Sequence, residues 1–289
     1  MLKTGIESTA YFDTSDFETG LKKMKSHGYD CMDYQGVALP DSPFFSYSES
    51  AFERSFQELS QCAKETGIEV YQMHGLWPRH SDGKLQVDER DFALYQKELL
   101  TAKYLHCKHF VIHPDMPYGW GEEPIKEKAF QRTVETIEKL LPTAKEFGVT
   151  LCLENMPFAC GHSFSTIQEV QRVIHTINDE RLRACFDTGH CSVTNESPYE
   201  SIVALGKDLA VLHIHDDIHK QDRHLVPFQG QIDWMAVIKG LREIKYDGCF
   251  SLETNFNRKT PQPALESLQL GLAQLAKWFV AQIENNDGE

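Results

Sequence analysis

An amphipathic helical stretch followed by a short apolar run recurs along the whole chain. In each repeat, apolar residues are spaced as on one face of a helix, a glycine or polar turn follows, and an apolar or β-branched run comes next. ELSQCAKETGIEVYQMH, LLPTAKEFGVTLCLE and LREIKYDGCFSLE are examples. Seven such units, preceded by the strand-like KTGIES, predict eight strands with a helix between successive strands.

The predicted strands cover residues 3–8, 29–34, 68–74, 109–113, 149–154, 182–187, 209–215 and 248–253. They are apolar with little alternation, which is typical of a parallel sheet covered by helices. Eight strands favour the α/β class and a single (β/α)8 TIM barrel over an open dinucleotide-binding sheet, since no GxGxxG follows the first strand. We expect one barrel domain over residues 1–283 and an acidic C-terminal tail over 284–289.

Composition and charge narrow the class of protein. The chain has 289 residues, 41% of them hydrophobic, and no apolar run near the roughly 18 residues of a membrane span. The N-terminus lacks an export signal, so we expect a cytoplasmic protein without a membrane partner. A net charge of −14 disfavours nucleic acid as a partner. Eight scattered cysteines without a CxxC pair are expected to be reduced core thiols.

Ionisable residues end six consecutive predicted strands. In a barrel of this kind, the residues at the C-terminal ends of the strands surround the active site. A lone histidine or carboxylate there is usually solvated or hydrogen-bonded, but six in register predict a shared divalent cation, because a cation offsets the repulsion among buried carboxylates. The six are His74, His113, Glu154, Asp187, His213 and Glu253.

Three more residues extend this cluster. In Asp187-Thr-Gly-His190, we expect the glycine to adopt the backbone conformation of a tight turn, so that Asp187 and His190 face one centre. In the loop after the seventh strand, Asp222 and His224 are two residues apart, and an extended segment presents both on one side.

The motifs LEN, FDTGH, HIHD, DRHLVPFQGQIDW and LET, in this order, resemble the xylose isomerase-like barrel superfamily. That superfamily includes sugar isomerases, ketose 3-epimerases, inositol-catabolic enzymes and the endonuclease IV type of AP endonuclease. The resemblance implies a four-ligand metal site of Glu154, Asp187, His213 and Glu253. It also implies that the two glutamates act as acid and base on opposite faces of a sugar.

Two further assignments follow from the resemblance. His213 is chosen over His215 because His-x-x-Asp matches the spacing of the superfamily. His190 is expected to contact substrate hydroxyls. The sequence departs from ketose epimerases at Phe158, where those enzymes carry a second glutamate.

Five residues resemble additional ligands of the endonucleases, which bind three zinc ions through nine side chains. In this chain we expect them to bind either substrate or additional metal. They are His74, His113, His190, Asp222 and His224.

These features favour a metal-dependent isomerase or epimerase of carbohydrate metabolism. Its substrate would be a sugar, sugar phosphate or cyclitol, converted through a metal-stabilised enediolate with two carboxylates as acid and base. The expected cofactor is one divalent ion (Mn, Co, Mg or Zn), with up to three permitted. Four aromatic residues are expected either near the sugar or in core and loop packing: Tyr34, Trp77, Trp120 and Phe158.

Three alternatives remain. An endonuclease IV-like zinc phosphodiesterase is permitted by the nine residues but opposed by acidic loops such as HPDMPYGWGEEP. A polyol dehydratase or lyase would use the same metal-enolate chemistry. A non-catalytic carbohydrate-binding protein is disfavoured by the convergence of ionisable groups. The sequence is compatible with a homo-oligomer.

Overall fold

Eight parallel strands form the wall of a barrel. The computed structural model describes residues 1–13, 16–39, 41–77, 87–116, 126–157, 164, 166–218, 221–254, 256–257 and 259–285. The strands of the barrel are β1 (Lys3–Glu7), β2 (Cys31–Tyr34), β3 (Glu69–His74), β4 (His109–Ile112), β5 (Thr150–Glu154), β6 (Leu182–Asp187) and β7 (Leu209–His213). After the short hairpin of β8 (Asp216–Ile218) and β9 (Gln221–Leu225), β10 (Cys249–Leu252) completes the wall.

The strands pair in the order β10, β1, β2, β3, β4, β5, β6 and β7, all in parallel. The barrel closes between β7 and β10, where the Ile214 amide donates to the Ser251 carbonyl and the Glu253 amide donates to the Ile214 carbonyl, both at 2.9 Å. The predicted fold class is therefore confirmed, and each predicted strand lies within two residues of its observed bounds.

Helices cover the outside of the barrel. Several begin and end where the sequence places caps: α3 and α5 begin with capping boxes at Asp88 and Thr166, and α1 and α2 end at Gly28 and Gly67 in the left-handed conformation. Among the described residues, no helix is both long and apolar enough to cross a membrane. The α-helices are α1 (Phe17–His27), α2 (Glu49–Thr66), α3 (Glu89–Tyr104), α4 (Lys126–Phe147), α5 (Ile167–Ile177), α6 (Thr188–Val193), α7 (Pro198–Leu205), α8 (Trp234–Glu243) and α9 (Gln262–Glu284).

The β8–β9 hairpin was not predicted, since the sequence suggested a loop after the seventh strand. Asp216 pairs with Leu225 and Ile218 with Gln221 in an antiparallel arrangement. The buried Asp216 carboxylate also anchors the following segment, accepting hydrogen bonds from the Phe228 amide at 2.9 Å and the Trp234 indole nitrogen at 3.0 Å. The hairpin holds Asp222 and His224 over the barrel mouth.

The barrel interior is filled by uncharged side chains. Val111, Cys152, Cys185 and Val211 pack together as a fully buried cluster inside the wall. The seven described cysteines are unpaired and six of them are buried, as expected of reduced core thiols; Cys160 lies outside the described residues. At their C-terminal ends the same strands carry ionisable residues instead, and the candidate site lies there.

Candidate metal centre

Each barrel strand carries an ionisable residue at or next to its C-terminal end, two positions after an uncharged one. Since side chains alternate along a strand, residues two apart lie on the same face. Seven of the eight ionisable residues are buried, and the His74 side chain is 13% exposed. We call this set the mouth ring: Glu7, Asp33, His74, His113, Glu154, Asp187, His213 and Glu253.

The four residues of the predicted metal site come together. One ligand atom from each of Glu154, Asp187, His213 and Glu253 lies within 4.8 Å of those of the other three. His213 Nδ1 is 2.7 Å from Glu154 Oε1 and 3.3 Å from Glu253 Oε2. The geometry is thus compatible with the predicted quartet, whose role stays a prediction.

Two members of the mouth ring were missed by sequence reasoning. Asp33 lies at the centre of the site, with Oδ2 3.0 Å from His213 Nε2 and 3.2 Å from Gln72 Nε2. Glu7 accepts a hydrogen bond from Thr9 Oγ1 at 2.6 Å. Burial raises the pKa of Glu7 to about 7, although the Thr9 hydroxyl and nearby His224 oppose this shift.

His215, two residues after the end of β7, is a second imidazole next to the quartet. Its Nε2 lies 3.0 Å from Asp187 Oδ2, and its ring stacks on His224 with centroids 4.1 Å apart. A Cβ at residue 189 would lie 1.9 Å from the His215 ring, so Gly189 is needed for space. The expected glycine turn is wrong: Asp187 instead caps the short helix α6 by accepting from the His190 amide at 2.7 Å.

Four histidines outside the quartet share one orientation. In each, Nδ1 lies against a backbone carbonyl. Because a carbonyl can only accept a hydrogen bond, Nδ1 carries a proton, and Nε2 is the nitrogen that faces a site carboxylate. In His74 and His113, Nε2 faces carboxylates of the quartet, at 3.6 Å from Glu253 and 3.2 Å from Glu154. The four contacts are His74 to Gly75 at 2.9 Å, His113 to Leu76 at 2.9 Å, His190 to Asn155 at 2.8 Å and His224 to Glu253 at 3.1 Å.

Asp222 connects the hairpin to this group. Its carboxylate lies 3.3 Å from His224 Nε2 and 3.5 Å from His190 Nε2, and its side chain is 29% exposed. Asp222 and His224 therefore contact each other at the site, and their role as ligands stays a prediction. All five additional residues therefore surround the quartet, with Asp222 at the solvent edge.

The two catalytic candidates have opposite pKa shifts. Burial raises the pKa of Glu253 to about 8, although His213 and His224 oppose this. Burial also acts to raise the pKa of Glu154, but neighbouring His213 outweighs it and holds the pKa well below its usual range. Paired carboxyl groups whose pKa values are separated in this way are suited to opposite acid and base roles.

The pKa values of the site histidines are also shifted in opposite directions. Burial lowers the pKa of His74 to about 4, with help from His113 and His213, so His74 is neutral at pH 7. Burial also acts to lower the pKa of His224, but Asp222 and Glu253 raise it to about 10. For His213, burial is likewise outweighed, and neighbouring Glu253 and Glu154 contribute to a pKa well above its usual value.

The donor set fits a divalent cation. Two buried atoms that face each other, Glu154 Oε2 and His113 Nε2, have no hydrogen-bond partner among the described residues. Asp33 Oδ1 is also buried and has no hydrogen-bond partner among the described residues. Carboxylate oxygens and imidazole nitrogens are the ligands that Mn²⁺, Co²⁺ and Zn²⁺ accept, so a cation would satisfy atoms that the protein leaves unpaired.

Of the aromatic residues suggested by the sequence, one lies at the site. The Trp77 ring meets the His113 ring edge-on, with centroids 4.6 Å apart. Tyr34 is buried and packs against Phe56 of α2, so it belongs to the core. Trp120 and Phe158 lie outside the described residues.

Relatives of this chain include sugar epimerases and endonucleases. A D-psicose 3-epimerase of Ruminiclostridium cellulolyticum is 24% identical, over 83% of this chain and 78% of that protein. A probable endonuclease 4 of Mycoplasmopsis pulmonis is 23% identical, over 83% of this chain and 89% of that protein. An uncharacterised protein, MJ1311, of Methanocaldococcus jannaschii is 28% identical over a shorter span, 50% of this chain and about half (49%) of that protein.

Solved structures share the fold at lower identity. A D-psicose 3-epimerase with D-tagatose from Clostridium cellulolyticum H10 matches with a TM-score of 0.80 at 19% identity, covering 96% of this chain and 99% of that one. The family described as xylose isomerase-like TIM barrel matches residues 21–276. This chain therefore belongs to the xylose isomerase-like TIM barrel family.

Proposed function

We propose that this protein is a metal-dependent isomerase or epimerase that acts on a sugar, sugar phosphate or cyclitol. The observation that carries the proposal is the pair Glu154 and Glu253, which approach His213 Nδ1 at 2.7 and 3.3 Å and have opposite pKa shifts. The D-psicose 3-epimerase relative supports the same reaction class.

Glu154, Asp187, His213 and Glu253 would hold the divalent ion. A bound divalent ion polarises a carbonyl and its neighbouring hydroxyl, which acidifies the C–H bond between them. His215 is the competing imidazole, because its Nε2 also faces Asp187. The quartet supplies three carboxylates and one imidazole, a donor set suited to Mn²⁺, Co²⁺, Mg²⁺ or Zn²⁺.

The two glutamates move the proton in this mechanism. Glu154, whose low pKa keeps it ionised, removes a proton from the carbon beside the carbonyl. Glu253, whose raised pKa keeps it protonated, donates a proton on the opposite face of the substrate. Once both transfers are complete the roles are exchanged, so the reverse reaction uses the same pair.

The second group of residues would hold the substrate. The Nε2 atoms of His74 and His113 face the quartet, and neutral His74 can accept a hydrogen bond from a sugar hydroxyl. Asp222, at the solvent edge, can accept from a more distant hydroxyl. The Trp77 ring provides an apolar surface beside His113.

An endonuclease IV-like phosphodiesterase is the second candidate, because the same nine residues gather at one mouth. The ion pairs that the described site carboxylates make are all with histidine. With a net charge of −14, the chain lacks the overall positive charge that attracts a nucleic-acid backbone. This observation favours a small polyhydroxylated substrate.

A substrate panel tests the proposal. The purified protein is assayed with Mn²⁺, Co²⁺ or Zn²⁺ on ketoses, their phosphates, an inosose and DNA that contains an abasic site. We expect conversion of a ketose or cyclitol and about one tightly bound ion per chain. Cleavage of the abasic DNA alone, with about three ions per chain, would establish the phosphodiesterase instead.

A further inference from the structure

Residues 74–77, which we call the β3 exit segment, fix the orientation of two site histidines through their backbone. The Gly75 carbonyl accepts from His74 Nδ1 and the Leu76 carbonyl accepts from His113 Nδ1, both at 2.9 Å. The segment is tied to the barrel because the Gly75 amide donates to Val111 at 3.0 Å. The position of Leu76 therefore determines where His113 directs Nε2.

Two buried side chains of α3, Tyr95 and Glu98, lie next to the backbone of Leu76. Tyr95 donates its hydroxyl proton to the Leu76 carbonyl at 3.3 Å. Glu98 is fully buried beside the Leu76 backbone amide, which is the group that opposes the effect of burial on its carboxyl. Leu76 is thus approached by Tyr95 and His113 at its carbonyl and by Glu98 at its amide.

Glu98 is an unusual occupant of this position. Neither carboxyl oxygen makes a hydrogen bond in the described part of the chain that meets ordinary distance and angle limits. Burial raises the pKa of Glu98 well above its usual range and so favours the neutral carboxyl group. An apolar side chain would suit the surrounding core better, since a buried polar group without a strong partner is destabilising.

We propose that Glu98 and Tyr95 are positioning residues that hold Leu76 so that His113 keeps its proton on Nδ1 and directs Nε2 toward Glu154. His113 Nε2 lies 3.2 Å from Glu154 Oε2, so displacement of Leu76 disturbs the catalytic carboxylate without contact between α3 and the substrate. The expected kinetic effect rests on the proposed function, whereas the tautomer of His113 does not.

The test uses four variants of the full chain. Glu98→Leu removes the polar group, Glu98→Gln keeps an acceptor of similar shape, and Tyr95→Phe removes only the hydroxyl. Thr101→Val is the matched control, because Thr101 is buried on the same helix and its hydroxyl donates to the Lys97 carbonyl of that helix. The measurements are the imidazole ¹⁵N shifts of His113, assigned with His113→Gln, the thermal melting curve, and kcat and KM on the substrate.

We expect Glu98→Leu to lose the single Nδ1–H tautomer of His113 and to lower kcat by about 10–100-fold, as is typical of residues that orient a site from behind. Tyr95→Phe should have a smaller effect in the same direction, and Glu98→Gln should restore both the tautomer and kcat. Thr101→Val should change only the melting temperature.

Other results would overturn the proposal. Retention of the wild-type His113 tautomer in folded Glu98→Leu would show that Glu98 only fills space. A loss in Glu98→Gln as large as in Glu98→Leu, or an equal loss in Thr101→Val, would have the same meaning. If the wild-type protein converts no sugar, the proposed function fails, and the ¹⁵N shifts still decide whether Glu98 positions His113.

Discussion

The mouth ring and the positions two residues earlier on the same strands show how one wall serves two purposes. The earlier positions, which we call the inner ring, hold only uncharged side chains or glycine, whereas every mouth ring position is ionisable. The inner ring consists of Gly5, Cys31, Gln72, Val111, Cys152, Cys185, Val211 and Ser251. A step of two residues therefore separates the packed core of the barrel from its chemistry.

Stability and function are expected to divide along this boundary. Inner ring residues are held mainly by close packing, where a change in volume is costly. Mouth ring residues instead lower the stability of the fold unless they are paired, because burying a charge without a partner is unfavourable. The predictions that follow set substitutions in one ring against substitutions in the other.

The largest effect is expected from the two catalytic candidates. Glu154→Gln and Glu253→Gln should each lower kcat/KM by at least about 10³-fold, because each removes an acid or base and a metal ligand. Cys152→Ala and Ser251→Ala, two residues earlier on the same strands, should keep turnover close to that of the wild type. Comparable losses in the inner ring variants would remove the distinction between the rings.

The next effect distinguishes the two imidazoles of β7. His213→Gln should weaken Mn²⁺ binding by at least about 100-fold, because a direct ligand contributes more than a residue that only orients one. His215→Gln should weaken it less. Metal content after dialysis against a fixed Mn²⁺ concentration checks this order, and the reverse order would assign the fourth ligand to His215.

The affinity for metal should depend on pH. In the metal-free protein the carboxylates around His213 outweigh burial and hold its pKa well above the usual value, so at pH 7 this candidate ligand carries a proton that a cation must displace. Mn²⁺ affinity should therefore rise with pH, by up to about tenfold per pH unit, as His213 loses this proton. Calorimetric titration in two buffers of different ionisation enthalpy measures the proton release. A flat profile would show that His213 does not lose a proton when the metal binds.

The smallest effect on activity is expected at Gly5. A Cβ there would lie 2.5 Å from Cys249 Sγ and 3.1 Å from Cys31 Sγ. Gly5→Ala should lower the free energy of unfolding by about 1–3 kcal/mol through overpacking, with kcat unchanged. Adding Cys249→Ala should recover part of the loss in chemical denaturation. A large fall in kcat with unaltered stability would contradict this assignment of Gly5 to packing.

The sequence predicted the barrel well because helix and strand periodicities and glycine stops are local signals. It found six of the eight mouth ring residues by inspecting the last residue of each predicted strand. Glu7 and Asp33 were missed because the first two predicted strands ended one residue later, at Ser8 and Tyr34. Since side chains alternate along a strand, these end residues point to the other face of the sheet. Inspection of the residue one position before each of those ends would have found both.

Other features of the site depend on contacts between distant segments. Gly189 is required by the approach of the His215 ring, and the hairpin that carries Asp222 depends on pairing of Asp216 with Leu225. Neither contact has a local sequence signal. The identity of His213 as a ligand remains a prediction, because His215, two residues further along the chain, also contacts a site carboxylate.

The central claim is that the mouth ring removes a proton from carbon beside a carbonyl. Incubation with Mn²⁺ and a ketose or inosose in D₂O, followed by NMR, measures this step directly, even when the product is not identified. We expect deuterium to enter the carbon beside the carbonyl with the wild-type protein and with Cys152→Ala, but not with Glu154→Gln. Absence of exchange across all carbonyl substrates and metals, together with cleavage of abasic DNA, would contradict the account.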